Sequence, residues 1–333
     1  MSSPTTAINR YDLSMSYGEF NLRLNRLGFI GLKALPPVGV AKQAANFSKI
    51  TIESVLGPVE DTVRAPDGTY SRGDFEWTPD SYKTEEHGVE EPMDDRTIKI
   101  YGSEIRAEFI HAERAINRVL QAFENAVAAA VFNSTTWTGA ALTTAVAIPW
   151  TTQATAVPVD NIDAAIDKVK TACGAKPNTL ILTDYALRCI KRTTQIEDLL
   201  KYSGRDDPKN LGILSGLGEL LDLPNILVAA GYKNTAGEGA TASLTRFWDP
   251  TMAMVCCVNT SGDLEDPVPT IGRTIMWTEE NVSIPGVGDG EPGVILEEYR
   301  EENRRGSVLR ARMDRQIKIL HAEAGHLMTA VTA

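Results

Sequence analysis

Histidine is scarce in this 333-residue chain, with four in all: His87, His111, His321 and His326. They form no HExxH pair. The five-residue step from His321 to His326 suits ligation from neither a helix nor a strand. There is no GxSxG elbow and no Walker A sequence, and Gly216-Leu217-Gly218 lacks the rest of a dinucleotide fingerprint. No Cys/His grouping has zinc spacing. The glycine-rich, acidic stretch Gly286–Gly293 lacks the spacing of a calcium loop. Neighbouring carboxylates such as Glu90 and Glu91 are not set apart from a solvated acidic run. No cofactor, metal or catalytic residue is therefore expected.

Other absences narrow the class further. No apolar run approaches the roughly 20 residues of a membrane helix, so no membrane partner is expected. The first residues, MSSPTTAINRYDLSMS, are polar and carry no apolar signal core, so synthesis in the cytoplasm is expected. The four cysteines give no sign of a disulfide framework. Cys173 and Cys189 fall in predicted helices, while Cys256 and Cys257 are adjacent in an apolar strand pattern, where neighbours point to opposite faces. Reduced, buried thiols are expected. There is also no basic stripe: 33 Lys and Arg stand against 44 Asp and Glu, a net charge of −11. Tight nucleic-acid binding needs clustered Lys and Arg, so only weak, non-specific contact with DNA is expected.

What is present is ordinary globular composition, 43% hydrophobic and 23% charged, with an unusual distribution. Residues 1–56 hold six basic and three acidic residues, a balance of +3. They read as an extended arm: Pro36 and Pro37 forbid helix, and Ile50–Leu56 is an apolar, β-rich run. Residues 57–101 hold five basic and twelve acidic residues, a balance of −7. Ala65-Pro66-Asp67-Gly68 is a proline-preset turn. Partial alternation from Tyr70 to Trp77 then predicts a hairpin with one apolar face, and Thr78-Pro79-Asp80-Ser81 reads as a second turn. Tyr70, Phe75, Trp77 and Tyr82 are costly to leave in water. This stretch cannot make a core of its own, and a structureless loop of its length is improbable in a compact domain.

After Tyr101 the pattern changes. Ile105, Phe109, Ala112, Ile116, Val119, Phe123, Val127 and Ala130 recur at steps of four and three, with Arg106, Glu113, Arg114, Arg118 and Glu124 between them. The spacing predicts one amphipathic helix over 103–132, on the order of 45 Å long. His111 lies within it as a surface or packing residue. Residues 133–159, with Trp137 and Trp150, read as a connector with short strands. From Asp160 the pattern is α/β. Asp160 is the expected cap of a helix stopped by Gly174, and Thr179–Thr183 is a buried strand. Asp184 is the expected cap of the next helix, and Asn225–Ala230 is a second buried strand. Leu244–Trp248 and Met252–Val258 read as paired strands. From Thr270 the chain is β-rich, with Ser307–Asp314 alternating and Gln316–Leu320 and His326–Val331 as two further strands.

This order of elements resembles the major capsid protein of tailed bacteriophages, with the Hong Kong 97-type fold. The resemblance covers nearly the whole chain. It rests on the extended loop with SRGDFEWTPDSYKTEE, on SEIRAEFIHAERAINRVLQAFENAVAAAVF, on NIDAAIDKVKTACGAKPNTLILTDYAL running through FWDPTMAMVCCV, and on the final AGHLMTAV. It implies an α+β fold with an N-terminal arm (1–54), an extended β-hairpin loop (55–101) and a peripheral domain with a long spine helix (102–159). An α/β axial domain (160–268) and peripheral return strands (269–333) complete the implied organisation.

The resemblance also implies pentamers and hexamers that form an icosahedral shell around phage double-stranded DNA, assembled in the host bacterial cytoplasm and residing in the virion. A portal, a separate scaffolding protein and a decoration protein are the partners it brings, since no long charged helix precedes the arm as a fused scaffold. The loop would lie across a neighbouring subunit, with Arg64, Tyr70, Arg72, Phe75, Trp77, Tyr82 and Lys83 as its inter-subunit contacts. The +3 arm and the −7 loop would attract across subunits, although exposed ion pairs give only about 0–1 kcal/mol each. Some members cross-link a loop lysine to an asparagine, and Lys83 is the only lysine between Lys49 and Lys99. Two alternatives stay open: an encapsulin-type compartment shell, and an α/β enzyme centred on residues 160–260.

Overall fold

The computed structural model describes residues 8–9, 28–57, 63, 64, 66, 68–70, 77–101, 107–202, 218, 220–237, 239–278 and 293–332. The first described elements are strand β1 (Ile8–Asn9), helix α1 (Gly31–Ala34), strands β2 (Pro37–Val40) and β3 (Ala44–Ile50), and helix α2 (Ile52–Leu56). The run Ile50–Leu56, expected as extended, thus turns helical after its first two residues. Strands β4 (Trp77–Lys83) and β5 (Glu85–Asp94) follow, then helices α3 (Asp95–Tyr101) and α4 (Ala107–Val131).

The sequence pattern predicts extended chain up to Tyr101, and α3 departs from this. Its seven residues carry Asp95 in the first turn and Lys99 in the last, the charge order that complements the helix dipole, but no clear apolar stripe. The 25 described residues of α4 span about 38 Å, and residues 103–106 of the expected helix lie outside the described residues. Ala112, Ile116, Val119, Phe123 and Val127 are buried as the four-and-three spacing requires, and the helix packs on β5 and on a long C-terminal strand. Glu124, which the pattern places among the polar positions, is buried.

That long strand is β14 (Gly306–Ile319), preceded by β12 (Gly272–Trp277) and β13 (Ile295–Glu301). Gln316–Leu320 is for the most part its continuation and not a separate strand. β14 organises a six-stranded sheet in the order β1-β13-β14-β12-β2, with β5 also on β14. Gly306–Arg312 pairs with β13 and Gly306–Arg315 pairs with β5, so these two strands flank it on opposite sides. Leu309, Ala311 and Met313 are buried, as their alternation requires.

A second sheet has five strands in the order β6-β15-β11-β7-β8. It comprises β6 (Thr143–Ala145), β7 (Thr179–Thr183), β8 (Asn225–Ala229), β11 (Ala253–Cys256) and β15 (Gly325–Thr329). β7 and β8 run parallel, and β11 lies antiparallel between β7 and β15. The last strand of the chain therefore joins this sheet and not the one built on β14. β11 does not pair with β10 (Leu244–Arg246), as the sequence suggested, because β10 forms a separate two-stranded ribbon with β9 (Tyr232–Asn234).

Helix α5 (Pro158–Cys173) packs on β11 and β15. Its N-cap is Val157, with Pro158 at the first position and Asp160 in the first turn. Asp160 is thus not the cap: a proline has no N–H to satisfy and starts the helix three residues earlier than a cap at Asp160 would. Gly174 ends it at φ 68°, a left-handed conformation that glycine adopts without strain. Helices α6 (Asp184–Ile190) and α7 (Thr194–Tyr202) follow. Thr183 caps α6, its hydroxyl accepting from Ala186 N at 3.3 Å, so the cap falls one residue before Asp184. One continuous apolar core runs through both sheets, and Trp137, Trp150 and Trp248 are its largest fully buried side chains.

Candidate assembly surface

The region expected to reach another subunit is rooted in a ribbon of two antiparallel strands. β3 pairs with β4 in a register that sets Ala44 opposite Lys83 and Ile50 opposite Trp77. The Thr78–Ser81 tetrapeptide, expected as a turn, lies inside β4. Pro79 is tolerated because this two-stranded ribbon leaves each strand an edge where no ladder hydrogen bond is lost. The pairing thus forms between 44–50 and 77–83, while residues 71–76 of the expected hairpin lie outside the described residues.

The two-residue period of the strands sorts the ribbon into faces. Ala45, Phe47, Asp80 and Tyr82 share one face, whereas Ile50, Trp77, Pro79 and Lys83 share the other. The first face is turned inward: Phe47 and Tyr82 pack with Val40, Ile275 and Leu320, their own rings 6.3 Å apart. Lys318 on β14 locks it down, donating to Asp80 Oδ1 and Ser81 O and lying 5.3 Å from the Phe47 ring. Partial burial acts to raise the Asp80 pKa, but the Lys318 and Ser81 contacts outweigh it and hold the carboxyl below its ordinary value. Lys83 N donates to Gln316 Oε1 at 2.9 Å. The second face carries Trp77, 56% exposed.

The seven residues expected at an inter-subunit contact are thus not equivalent. Trp77 and Lys83 lie outward. Tyr70 is 69% exposed, and Arg64 sits over its ring at 5.2 Å while donating from Nε to Gly68 O at 2.7 Å. Tyr82 is only 8% exposed, and its covering residues belong to its own chain. Arg72 and Phe75 lie outside the described residues.

The acidity of 85–95 is largely spent within the chain. Glu90 pairs with Arg310 at 2.9 Å, and Asp95 takes both terminal nitrogens of Arg300 at 3.1 and 2.8 Å. Glu91 is buried against α4, 2.9 Å from Arg118, with Arg114 and His111 within 3.8 Å. These carboxylates fasten β5 and the start of α3 to the sheet and to α4, so fewer remain to attract a basic arm than the charge count implied.

Sequence reading missed a second exposed apolar area on the β9–β10 ribbon, where Leu244 and Tyr232 face solvent. Arg246 lies between the rings of Tyr185 and Tyr232, at 5.5 and 5.1 Å, and pairs with Asp184 at 3.2 Å. Only Leu244 in a short strand pattern signalled it.

The histidines of the C-terminal region are engaged in the fold. His321 sits between Thr270 O and Ile50 O, and His326 Nδ1 lies 2.7 Å from Ala141 O with Nε2 3.0 Å from Thr144 Oγ1. Among the described residues, no group of three His, Cys, Asp or Glu side chains could hold a metal ion, and no helix is long and apolar enough to cross a membrane.

No protein-family model matches the sequence, and comparison with curated proteins finds no match. Solved structures do match. A phage-related protein from Bordetella bronchiseptica RB50 superposes with a TM-score of 0.70, covering 98% of each chain at 16% identity. The capsid of the Myoviridae phage XM1 follows with a TM-score of 0.53 over 91% of this chain and 92% of that one, at 7% identity. The fold is that of phage capsid proteins. The SrpI encapsulin of Synechococcus elongatus PCC 7942 shares it, with a TM-score of 0.52 over 90% of this chain and 86% of that one, at 10% identity. At these identities the likeness is one of fold. The phage-capsid fold thus spans the ribbon, the long α4, the sheet on β14 and the α/β sheet as one arrangement.

Proposed function

We propose that the chain is a structural shell protein of Hong Kong 97 type. It self-assembles into pentamers and hexamers of an icosahedral capsid that encloses phage double-stranded DNA. In this reading residues 1–54 are the arm, 55–101 the extended loop, 102–159 the spine-helix part of the peripheral domain, 160–268 the axial domain and 269–333 the peripheral return, whose last strand β15 crosses to the axial sheet. The observation that carries it is the two-faced ribbon. Its inner face is anchored by Tyr82, Phe47 and Lys318, while Trp77 on the outer face is more than half exposed among the described residues. A rigid root with an uncovered aromatic face fits a limb that docks on a second copy, at roughly 25 cal/mol per Å² buried.

Tyr70, with Arg64 over its ring, extends the same docking surface, as does Lys83 on the face of Trp77; Arg72 and Phe75, outside the described residues, are proposed as further contacts. Portal, scaffolding and decoration proteins are proposed partners, and packaged DNA touches the shell only weakly, given the charge of −11. The protein acts in the virion, after assembly in the host cytoplasm. The role is structural and not catalytic. Expression alone and with a scaffolding protein, followed by negative-stain microscopy, tests the proposal: closed shells support it, and monomers under every assembly condition reject it.

An encapsulin-type compartment is the second reading, because its TM-score of 0.52 is close to the 0.53 of the phage XM1 capsid. Neighbouring genes separate the two: portal and terminase genes favour a virion, a cargo enzyme gene a compartment. If Lys83 cross-links subunits, assembled shells run as a ladder on a denaturing gel. A single monomer band rejects that part alone.

A further inference from the structure

All four cysteines are buried free thiols, yet two of them meet. Cys173 is the last residue of α5, and Cys257 follows the last residue of β11. Cys173 Sγ lies 3.6 Å from Ala175 O and Cys257 Sγ lies 3.7 Å from Lys176 O, so both thiols point under the same turn. Each thiol also shifts the other's pKa, Cys173 downward and Cys257 upward. Cys256, one residue earlier on the strand, points to the other side and is wholly enclosed in the core.

The structure assigns Cys173 and Cys257 as a disulfide-forming pair that, when oxidised, ties the end of α5 to the end of β11. Three features support reactivity in thiols that burial would otherwise make inert. The turn whose carbonyls they touch has Gly174 and Lys176 exposed, so a small local opening there admits an oxidant. The neighbouring Cys257 thiol lowers the Cys173 pKa, so Cys173 is the readier thiolate of the pair. No competing thiol is in that contact: neither Cys189 nor Cys256 shares it.

The chemistry balances with a diazene oxidant such as diamide. The Cys173 thiolate adds to one nitrogen, and the other takes a proton. Cys257 then attacks the Cys173 sulfur as its own thiol proton leaves. The S–N bond breaks, the S–S bond forms, and the hydrazine departs having gained two electrons and two protons. The bond closes a long loop that includes α6, α7 and β8, so it restricts the unfolded chain and stabilises the fold. The inference holds whether or not the chain forms shells.

The test uses the full chain, reduced, freed of reductant and treated with diamide. The free-thiol count is expected to fall from four to two. Non-reducing peptide mass mapping should show one linked pair, and the melting temperature should rise by several degrees and return on reduction. Cys256 and Cys257 share a tryptic peptide, so variants assign the partner. Cys173→Ala and Cys257→Ala should each abolish the linked pair, whereas Cys256→Ala and Cys189→Ala should keep it. Four free thiols in folded protein, under conditions that oxidise the urea-unfolded chain, would overturn the inference. So would a linked pair that survives Cys257→Ala.

Discussion

Trp248 donates its indole N–H to Glu124 Oε1 at 2.6 Å, joining the strand-rich part around β10 and β11 to the middle of α4. The same carboxylate accepts from Ile30 N at 3.0 Å and Gly31 N at 2.8 Å. One buried side chain thus ties the arm, the long helix and the α/β part together. Burial raises the Glu124 pKa, and the three donors act against that rise. Glu124→Ala leaves three buried N–H groups without an acceptor and should cost about 3 kcal/mol or more in chemical unfolding. Glu124→Gln should cost less, since its oxygen still serves Ile30 and Trp248 and only its amide faces Gly31 N–H. Equal stability of wild type and Glu124→Ala would reject the clamp.

The two faces of the β3–β4 ribbon predict opposite mutant behaviour. Tyr82→Ala removes a ring buried against Phe47, Val40, Ile275 and Leu320, and should lower subunit stability by about 2–4 kcal/mol. Trp77→Ala removes an exposed ring and should leave subunit unfolding within about 0.5 kcal/mol of wild type while impairing assembly. Denaturant unfolding of dissociated subunits, run beside an assembly assay, reads both effects. Equal destabilisation of the subunit by the two variants would rule out an outward docking role for Trp77.

Stability should fall on acidification because of His326. Burial lowers its pKa from the ordinary 6.5, and the Lys168 charge adds to that, while the Ala141 carbonyl acts the other way. With Nδ1–H donating to Ala141 O, the neutral ring accepts at Nε2 from the Thr144 hydroxyl, which itself accepts from Lys168 Nζ. The unfolded chain therefore binds the proton first as pH falls. The contribution is complete above pH 6.5 and is lost as pH drops through the folded value, with a slope of at most about 1.4 kcal/mol per pH unit. His87 is shifted the same way by partial burial and by Arg315. His326→Asn should flatten part of the slope of melting temperature between pH 7.5 and 5, and an unchanged slope would assign it to other groups.

Which parts of this fold were legible in the sequence follows from which residues carry period alone. The stripe Ala112, Ile116, Val119, Phe123, Val127 and the alternation Leu309, Ala311, Met313 are enforced by burial on one face, so the helix α4 and the strand β14 were readable. The helices α2 and α3 were not, being short and weakly patterned. Glu124 looked like a surface residue because its three donors come from Ile30, Gly31 and Trp248, far away in the chain. Tyr82 looked like Trp77 for the same reason: register against β3, not composition, decides which face each one takes. Pro79 signalled a turn because nothing local shows that its strand lies at an edge.

The most direct test of a shell-forming role is electron microscopy of the purified full-length protein, expressed alone and with a scaffolding protein, over a range of concentration and ionic strength. The expected result is closed icosahedral particles in which the 77–83 ribbon of one subunit rests on the next. A protein that stays monomeric under all of these conditions, with Trp77 exposed and unprotected, would contradict it.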